Sequence, residues 1–247
     1  MKELFLALWA FLGLVSPALP SPAPTTSPLP QQAQEIKFED KIYTVYWYEV
    51  QNAEGLMLKA NFDQQESALT LQQKNNCEFL VNAGFYSTDN KPIGMWQSEA
   101  DASFVSRQKN NDLFNGYVYR TGDVVFIGDL VPKVHGEWAL QTGPILRLNG
   151  ENRKLAIRND KPRRRMIAAT DNGSVMFFAI TLKNSDFEGP YLEDLPKILG
   201  LVGVKIKDAI NLDGGSASAL LTPDVSLHEA NPIGSFFCYN LDNDTAR

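Results

Sequence analysis

The segment Asn211-Leu212-Asp213-Gly214-Gly215-Ser216 brings a carboxylate, an amide and two adjacent glycines together at the end of an apolar run. Two consecutive glycines let neighbouring N–H groups point into one concavity, which suits a phosphate or a developing oxyanion. Asp213, at the end of a buried strand, would be partly desolvated and could act as acid, base, nucleophile or metal ligand. Taken alone, the segment is more typical of a plain β-turn.

Four other segments place polar groups and glycine where an apolar run ends, so that backbone can approach a ligand. They are Asn82-Ala83-Gly84-Phe85-Tyr86, Pro92-Ile93-Gly94, Gln141-Thr142-Gly143-Pro144 and Arg163-Arg164-Arg165. Asn82 directly follows an apolar run, which favours an amide aimed into a site. Alternate side chains of a strand face opposite sides, so one arginine could face the site and hold a phosphate bidentately, while the others are solvated or paired with acids.

Other common catalytic patterns do not occur in the sequence. It has no Gly-x-Ser-x-Gly elbow, no P-loop and no Gly-x-Gly-x-x-Gly, and His135 and His228 lack metal-ligand spacing. Two cysteines and two histidines are too few for a cysteine framework or a Cys/His zinc module. We therefore expect neither a metal nor a cofactor.

The elements that must position these segments are predicted to be mostly strands. We expect strands at 41–50, 55–62 (paired with 41–50), 77–81, 209–212 and 217–221, hairpins at 116–127 and 167–180, and helices at 65–75 and 192–201. This pattern predicts one α+β domain over residues 36–247, with a mixed, mainly antiparallel β-sheet and few flanking helices.

The first 35 residues have the composition of a targeting segment and a spacer. Lys2 precedes twelve apolar residues at 4–15 and small residues at 16–18, which is the layout of a signal peptide over residues 1–18. Residues 19–35 form a Pro-rich linker. The pattern predicts export to the periplasm or the outside of the cell, and no integral membrane span after cleavage; an uncleaved anchor or a buried helix is the alternative.

Charge and cysteine content add two expectations. The 247 residues carry 23 Lys+Arg and 29 Asp+Glu, a net charge of −6, with no basic block, which argues against nucleic acid as a partner. Export would permit a disulfide. Cys77 and Cys238 are the only candidates, and a bridge and two buried thiols remain equally open.

Taken in order, the five segments resemble the phosphodiester glycosidase domain, the family of the lysosomal uncovering enzyme and of exported bacterial relatives. The family pattern has Asn-Gly/Ala-Gly-Phe/Tyr, Pro-x-Gly, Gln-Ser-Gly-Pro, an arginine opening a β-hairpin, and Asn-Leu-Asp-Gly-Gly-x-Ser, which match segments over residues 75–240 here. Thr142 stands where the family has serine. Counting nine residues back from Gly173 makes Arg164 the better match for the arginine, with Arg165 the alternative.

The resemblance implies hydrolysis of a sugar-1-phosphodiester at the glycosidic bond, with a sugar-phosphate or an envelope glycopolymer as substrate. It implies catalytic roles for Asp213, Asn82 and Arg164. The implied substrate-binding residues are Gly84, Gln141, Thr142, Gly143, Arg165, Asn211, Gly214, Gly215 and Ser216. Asn82 and Asn211 would bond to substrate or orient Asp213.

Two other functions stay open at this point. One is a metal-dependent phosphodiesterase that cleaves the P–O bond, with Asp213 and Asp171 as ligands. The other is a non-catalytic protein that binds an envelope polysaccharide. The sequence also leaves the sugar, the acceptor and the oligomeric state open.

Overall fold

The computed structural model describes residues 32–50, 52–99, 108–133 and 137–240. The predicted signal peptide at 1–18, most of the linker and His135 lie outside these residues. The first strand begins at Ala33, so the folded part starts before the predicted boundary at residue 36. No helix in the described ranges is long and apolar enough to cross a membrane.

The described residues form sixteen strands and two short α-helices. The strands are β1 (Ala33–Phe38), β2 (Lys41–Val50), β3 (Leu56–Ala60), β4 (Phe79–Asn82), β5 (Trp96–Gln97), β6 (Gly116–Thr121), β7 (Val124–Gly128), β8 (Ala139–Thr142), β9 (Ile145–Leu148), β10 (Glu151–Asn152), β11 (Arg165–Asp171), β12 (Ser174–Leu182), β13 (Asp208–Asn211), β14 (Leu220–Leu221), β15 (Ser226–Leu227) and β16 (Ser235–Tyr239). The helices are α1 (Ala68–Lys74) and α2 (Leu195–Leu199), and 3-10 turns lie at Ala53–Gly55, Leu192–Asp194 and Gly215–Ala217.

The strands make three sheets, and the pairings between the described strands are antiparallel. The largest has the order β1-β2-β12-β11-β13-β9-β10, the second β15-β14-β4-β16-β3 and the third β5-β8-β6-β7. The prediction of mainly antiparallel strands with few helices is confirmed. The α+β label fits only loosely, because the helices are so short.

The central strands β11, β12 and β13 of the seven-stranded sheet are buried on both faces, which explains their continuous apolar runs. Along β11, Met166 and Ala168 enter the main core, whereas Ile167 and Ala169 face the other way. The main core lies between this sheet and the two smaller ones. α2 covers the opposite face of the seven-stranded sheet, and α1 covers the outer face of the five-stranded sheet.

The two predicted hairpins are confirmed. β6 pairs with β7, and Gly122 at the first central turn position has φ +63°. β11 pairs with β12 through Asp171 opposite Ser174, and Asn172 and Gly173 both have positive φ. These are the backbone conformations that two-residue hairpin turns require.

Two other expectations need correction. The strand expected at 55–62 does not pair with 41–50: β3 pairs with β16, because both edges of β2 are already taken by β1 and β12. The helix expected over 192–201 is a 3-10 turn followed by the five residues of α2. Pro196 lies in the first turn of α2 and Gly200 caps its end, which limits its length.

Cys77 and Cys238 form a disulfide, which decides the question that the sequence left open. The bond joins the residues before β4 to β16, its hydrogen-bonded neighbour. A link between residues 161 positions apart restricts the unfolded chain and typically stabilises the fold by about 2–4 kcal/mol. It therefore fixes the strand that leads to Asn82.

Candidate active site

Four of the five segments picked out in the sequence meet where strands of different sheets end, and Gly94 of the fifth packs against Gln141. The N–H of Asp213 donates to the carbonyl of Ala83, just beyond β4, at 3.0 Å. The N–H of Leu212 donates to Met166 of β11 at 2.8 Å, and that of Asn211 donates to Pro144, beyond β8, at 3.0 Å. One short stretch after β13 thus ties together segments that are far apart in sequence.

Asp213 is the carboxylate at this junction. It is partly buried, and burial raises the pKa of its carboxyl from 3.8 to about 7. Two effects act in the opposite direction on that pKa: a hydrogen bond from the Gly214 N–H to Oδ1 at 2.9 Å, and the positive charge of Arg163. The carboxyl therefore titrates near neutral pH, where it can exchange a proton with a reactant.

The two glycines after Asp213 do not form the predicted anion-binding nest. The Gly214 N–H is bonded to Asp213, and the Gly215 N–H donates to the carbonyl of Arg164 at 2.8 Å. A Cβ on Gly214 would stand 2.6 Å from that same carbonyl oxygen, and Gly215 has φ +73°. The glycines are required because this loop packs directly on the arginine segment.

Ser216 is exposed and is held by the chain that follows β15. Its carbonyl accepts from the N–H groups of Ala230 and Asn231, and its Oγ accepts from Asn231 Nδ2 at 2.8 Å. The side chain nevertheless remains at the surface, three residues after Asp213. It is the one residue of the Gly-Gly-Ser stretch whose polar side chain can meet a ligand.

Asn82 holds the backbone around Asp213 and is not aimed at a ligand. Its Nδ2 donates to the carbonyl oxygen of Asp213 at 2.8 Å, and its Oδ1 accepts from the N–H of Ala219 at 3.0 Å. The side chain is buried, and both ends of its amide are used. Of the two roles predicted for Asn82, the geometry supports orientation of Asp213.

The Gln141–Gly143 segment and Asn211 also bond to backbone. Gln141 Oε1 accepts from the N–H groups of Met95 and Gln108 at 3.1 and 2.9 Å. Thr142 Oγ1 donates to the Asn211 carbonyl at 2.9 Å, and Asn211 Nδ2 donates to the Gly143 carbonyl at 2.9 Å. These side chains are buried and join strands. Asn211 Oδ1 has no hydrogen-bond partner among the described residues, and the predicted substrate contacts stay predictions.

Gly84 is likewise a packing residue. A Cβ there would stand 2.7 Å from Leu140 Cδ1 in the core. A larger residue would separate β8 from the segment after β4.

Arg164 is fully buried, which contradicts the prediction that it faces a substrate. Its Nε donates to Ser218 Oγ at 2.9 Å, and its Nη2 donates to the carbonyls of Ser218 and His228. The guanidinium also lies over the ring of Phe187, 4.7 Å from its centroid. Burial lowers the pKa of Arg164 to about 10. Arg164 therefore stabilises the loop after Asp213 from the buried side.

Arg165 is also buried. Its Nη2 forms an ion pair with Asp160 Oδ2 at 2.6 Å, and its Nε donates to the Pro190 carbonyl at 2.8 Å. The predicted substrate-binding role of Arg165 is therefore not supported by its position.

Arg163 is the exposed member of the triplet. Its Cδ lies 3.3 Å from the position that a Cβ on Gly215 would take, so the side chain runs along the loop after Asp213. Its charge is the one that lowers the pKa of Asp213. The strand alternation used for the prediction does not apply to Arg163, because β11 begins only at Arg165.

A model of the family described as phosphodiester glycosidase matches residues 75–239, which include all of these segments. The chain belongs to the phosphodiester glycosidase family. A search of curated proteins finds no match.

Solved structures share the fold of this phosphodiester glycosidase. The zebrafish N-acetylglucosamine-1-phosphodiester alpha-N-acetylglucosaminidase catalytic domain, auto-inhibited by its pro-peptide, aligns with a TM-score of 0.64 and 14% identity, covering 87% of this chain and 85% of that one. A hypothetical protein from Synechocystis aligns with a TM-score of 0.54 and 14% identity, covering 83% of this chain and 61% of that one. At such identities the likeness concerns the fold alone.

Tyr86 lies near Asp213 in this phosphodiester glycosidase, and sequence reasoning did not single it out as a site residue. Its pKa is raised first by burial and second by the charge of Asp213, which places the two side chains near each other. Its hydroxyl donates to the Pro232 carbonyl at 2.7 Å, and its ring packs against Gly234. The only signal in the sequence was its position at the end of the Asn82–Tyr86 segment.

The two-aspartate metal alternative does not fit the geometry. Asp171 lies at the far end of β11 from Arg165, on the hairpin turn, whereas Asp213 lies beside the beginning of that strand. Six residues of strand separate the two ends by about 20 Å. Among the described residues, no group of three or more His, Cys, Asp or Glu side chains could hold a metal ion.

Proposed function

We propose that this phosphodiester glycosidase hydrolyses the glycosidic bond of a sugar-1-phosphodiester, releasing a sugar and a phosphomonoester. Family membership supports a hydrolase of the glycosidase type. The observation that carries the proposal is the Asp213 carboxyl, which has a pKa of about 7 and lies where four of the five segments meet, beside an exposed arginine. A site that only bound a polymer would not require a carboxyl group with a pKa near neutral pH.

In this reaction the Asp213 carboxylate accepts a proton from the attacking water. The water oxygen bonds to the anomeric carbon, the bond from that carbon to the phosphate oxygen breaks, and its electron pair stays on the phosphate. Ordinary glycosidases use a second carboxylic acid to protonate the leaving oxygen. A phosphate leaves as a stable anion, so Asp213 is sufficient as the single proton-transferring carboxyl.

The proposed location is the cell envelope or the outside of the cell. The signal-like residues 1–18 and the Cys77–Cys238 disulfide support it, because disulfides persist in oxidising compartments. An envelope glycopolymer with sugar-1-phosphate linkages is the corresponding natural substrate class.

Hydrolysis in oxygen-18 water tests the proposal. The purified protein is incubated with a panel of hexose and N-acetylhexosamine 1-(methyl phosphate) diesters, and the products are analysed by mass spectrometry. We expect the label on the sugar and unlabelled methyl phosphate. Label on the phosphate would mean P–O cleavage, and binding of every diester without turnover would mean a binding protein; either result overturns the proposal. Asp213→Asn serves as the control for a contaminating hydrolase.

A further inference from the structure

We propose that Arg163 is the residue that binds the phosphate group of the substrate, and that it selects anionic sugar phosphodiesters over neutral glycosides. This inference rests on the proposed function for the identity of the substrate. It replaces the roles that the sequence suggested for Arg164 and Arg165, and it follows from a difference in how three adjacent guanidinium groups are used.

The backbone that carries Arg163 is fixed on its C-terminal side. The N–H of Arg164 donates to the carbonyl of Phe187 at 2.6 Å, and the carbonyl of Arg164 accepts from the N–H of Gly215 at 2.8 Å. Gly189 packs directly against the carbonyl of Arg163, where no Cβ could be accommodated. Arg163 is therefore presented at a defined position, although its side chain is at the surface.

The side chain runs toward the reacting carboxyl. Its Cβ, Cγ and Cδ all lie within 4.0 Å of the place where Gly215 lacks a Cβ, so the glycine provides the surface on which the arginine lies. In the part of the chain that the structure describes, Arg163 is the charged side chain that acts on the pKa of Asp213. This contact along Gly215 brings a positive charge to the loop that holds Asp213.

The guanidinium of Arg163 is available for a ligand. Its one hydrogen bond is a long one of 3.4 Å, from Nε to the Lys161 carbonyl, and it forms no ion pair with a described carboxylate. Both terminal nitrogens are left to donate. A planar guanidinium matches two phosphate oxygens at once, which an ammonium group cannot do.

The neighbouring guanidinium groups are buried and less available. Nη1 of Arg164 has no hydrogen-bond partner in the described structure, but it is out of contact with solvent. Arg164 is bonded to Ser218 and His228, and Arg165 is bonded to Asp160 and Pro190. The negative charges of Asp186 and Glu229 act to raise the pKa of Arg164. A phosphate that reached Asp213 would therefore meet Arg163 first.

The first test measures anion binding directly, by isothermal titration of methyl phosphate and of the free sugar into the full chain. We expect Arg163→Gln to weaken methyl phosphate binding about 10- to 100-fold, the range for a lost charge-assisted pair, and to leave sugar binding unchanged. Arg163→Lys should recover only part of the loss, because the bidentate fork is missing. Arg158→Gln is the matched control, because Arg158 is exposed, lies five residues before Arg163 and undergoes the same change of charge.

The second test uses turnover of a sugar-1-(methyl phosphate) diester. Arg163→Gln should raise KM more than it lowers kcat. The rising limb of the pH profile should also move to higher pH, because the charge that lowers the pKa of Asp213 is gone. The other titratable group that faces Asp213 is Tyr86, whose hydroxyl stays protonated over this range. A purely structural role of Arg163 would not move this limb.

The outcomes separate this inference from the proposed function. If Arg163→Gln and wild type bind methyl phosphate equally, or if Arg158→Gln loses as much, Arg163 is not the phosphate-binding residue. If wild type turns over no diester, yet methyl phosphate binding still depends on Arg163, the anion site stands and the hydrolytic function is wrong.

Discussion

Two parts of the site use their polar groups in opposite ways. The polar scaffold consists of Asn82, Gln141, Thr142, Arg164 and Asn211, which are buried and bond mainly to backbone. The reactive rim consists of Tyr86, Arg163, Asp213 and Ser216, which lie at or near the surface. The scaffold supplies fixed geometry, and the rim supplies groups that can still bind or exchange protons.

The comparison teaches that residue type alone does not separate the two roles. An arginine, an asparagine or a glutamine after an apolar run looks like a ligand-binding residue. Here most of them form hydrogen bonds with backbone groups that would otherwise lack a partner at the strand ends. Three sheets must be joined where the site is formed, and a buried side-chain amide can donate to one chain segment and accept from another. Only the few polar side chains that do not join strands remain available to bind a ligand or to transfer a proton.

The largest effect is expected at the rim, from Asp213→Asn. If Asp213 transfers the proton, kcat should fall about 1,000-fold, within the range for loss of a general base. The fold should survive, because the hydrogen bond to the Asp213 carbonyl does not depend on its side chain. Steady-state kinetics with a sugar-1-phosphodiester and circular dichroism provide the measurement, with exposed Asp224→Asn as the control.

The free energy of unfolding of Asp213→Asn should differ from that of wild type in a pH-dependent way. Because the folded-state pKa of Asp213 is raised from 3.8 to about 7, its protonated form contributes stability that is full below about pH 4 and lost as pH rises through about 7. Asp213→Asn should match wild type at pH 4 and exceed it at pH 8 by about 1–3 kcal/mol, a figure reduced because the carboxyl is partly exposed. Equal urea unfolding curves at pH 8 would contradict the raised pKa.

The scaffold should respond in stability, most strongly at Arg164. Arg164→Met leaves the carbonyls of Ser218 and His228 without their donor and should lower the free energy of unfolding by about 3 kcal/mol. Arg163→Met, the same change one residue earlier at the rim, should alter it by less than about 0.5 kcal/mol. If the two variants unfold alike and Arg164→Met only raises KM, the division between scaffold and rim is wrong at this position.

The smallest effect is expected at Thr142. Thr142→Val removes one buried hydrogen bond to the Asn211 carbonyl and should cost about 1 kcal/mol of unfolding free energy, with KM unchanged. Exposed Thr88→Val is the matched control for the loss of a hydroxyl. A KM raised severalfold without a loss of stability would instead show that Thr142 contacts the substrate.

The features that depend on neighbouring residues, namely hairpin turns and buried strands, could be predicted from the sequence. Gly122, Asn172 and Gly173 marked two hairpins because their turns need positive φ, and the apolar runs of β11 and β12 marked strands buried on both faces. Four of the five segments meet around Asp213, and their roles in binding or catalysis stay predictions. The family pattern added their order, and therefore the reaction class to propose.

The remaining details depend on contacts between distant residues. The Asn82 amide bonds to residues 131 and 137 positions away, so its direction could not be read from its neighbours. The partner of β3 depended on which strand edges were still free. The choice among three adjacent arginines depended on where β11 begins and on the loop that packs against it, and neither is encoded in the triplet.

The order β15-β14-β4-β16-β3 has a consequence for the sequence of folding events. β3 and β4 precede their shared neighbour β16 by more than 150 residues, so both strands stay unpaired along that side until β16 has been made. Such long-range pairing slows folding and leaves apolar strand edges exposed in the meantime. Because β4 ends at Asn82, which holds Asp213, an emerging or truncated chain has no assembled site. Assembly of the segments around Asp213 therefore depends on the pairing of β4 with β16.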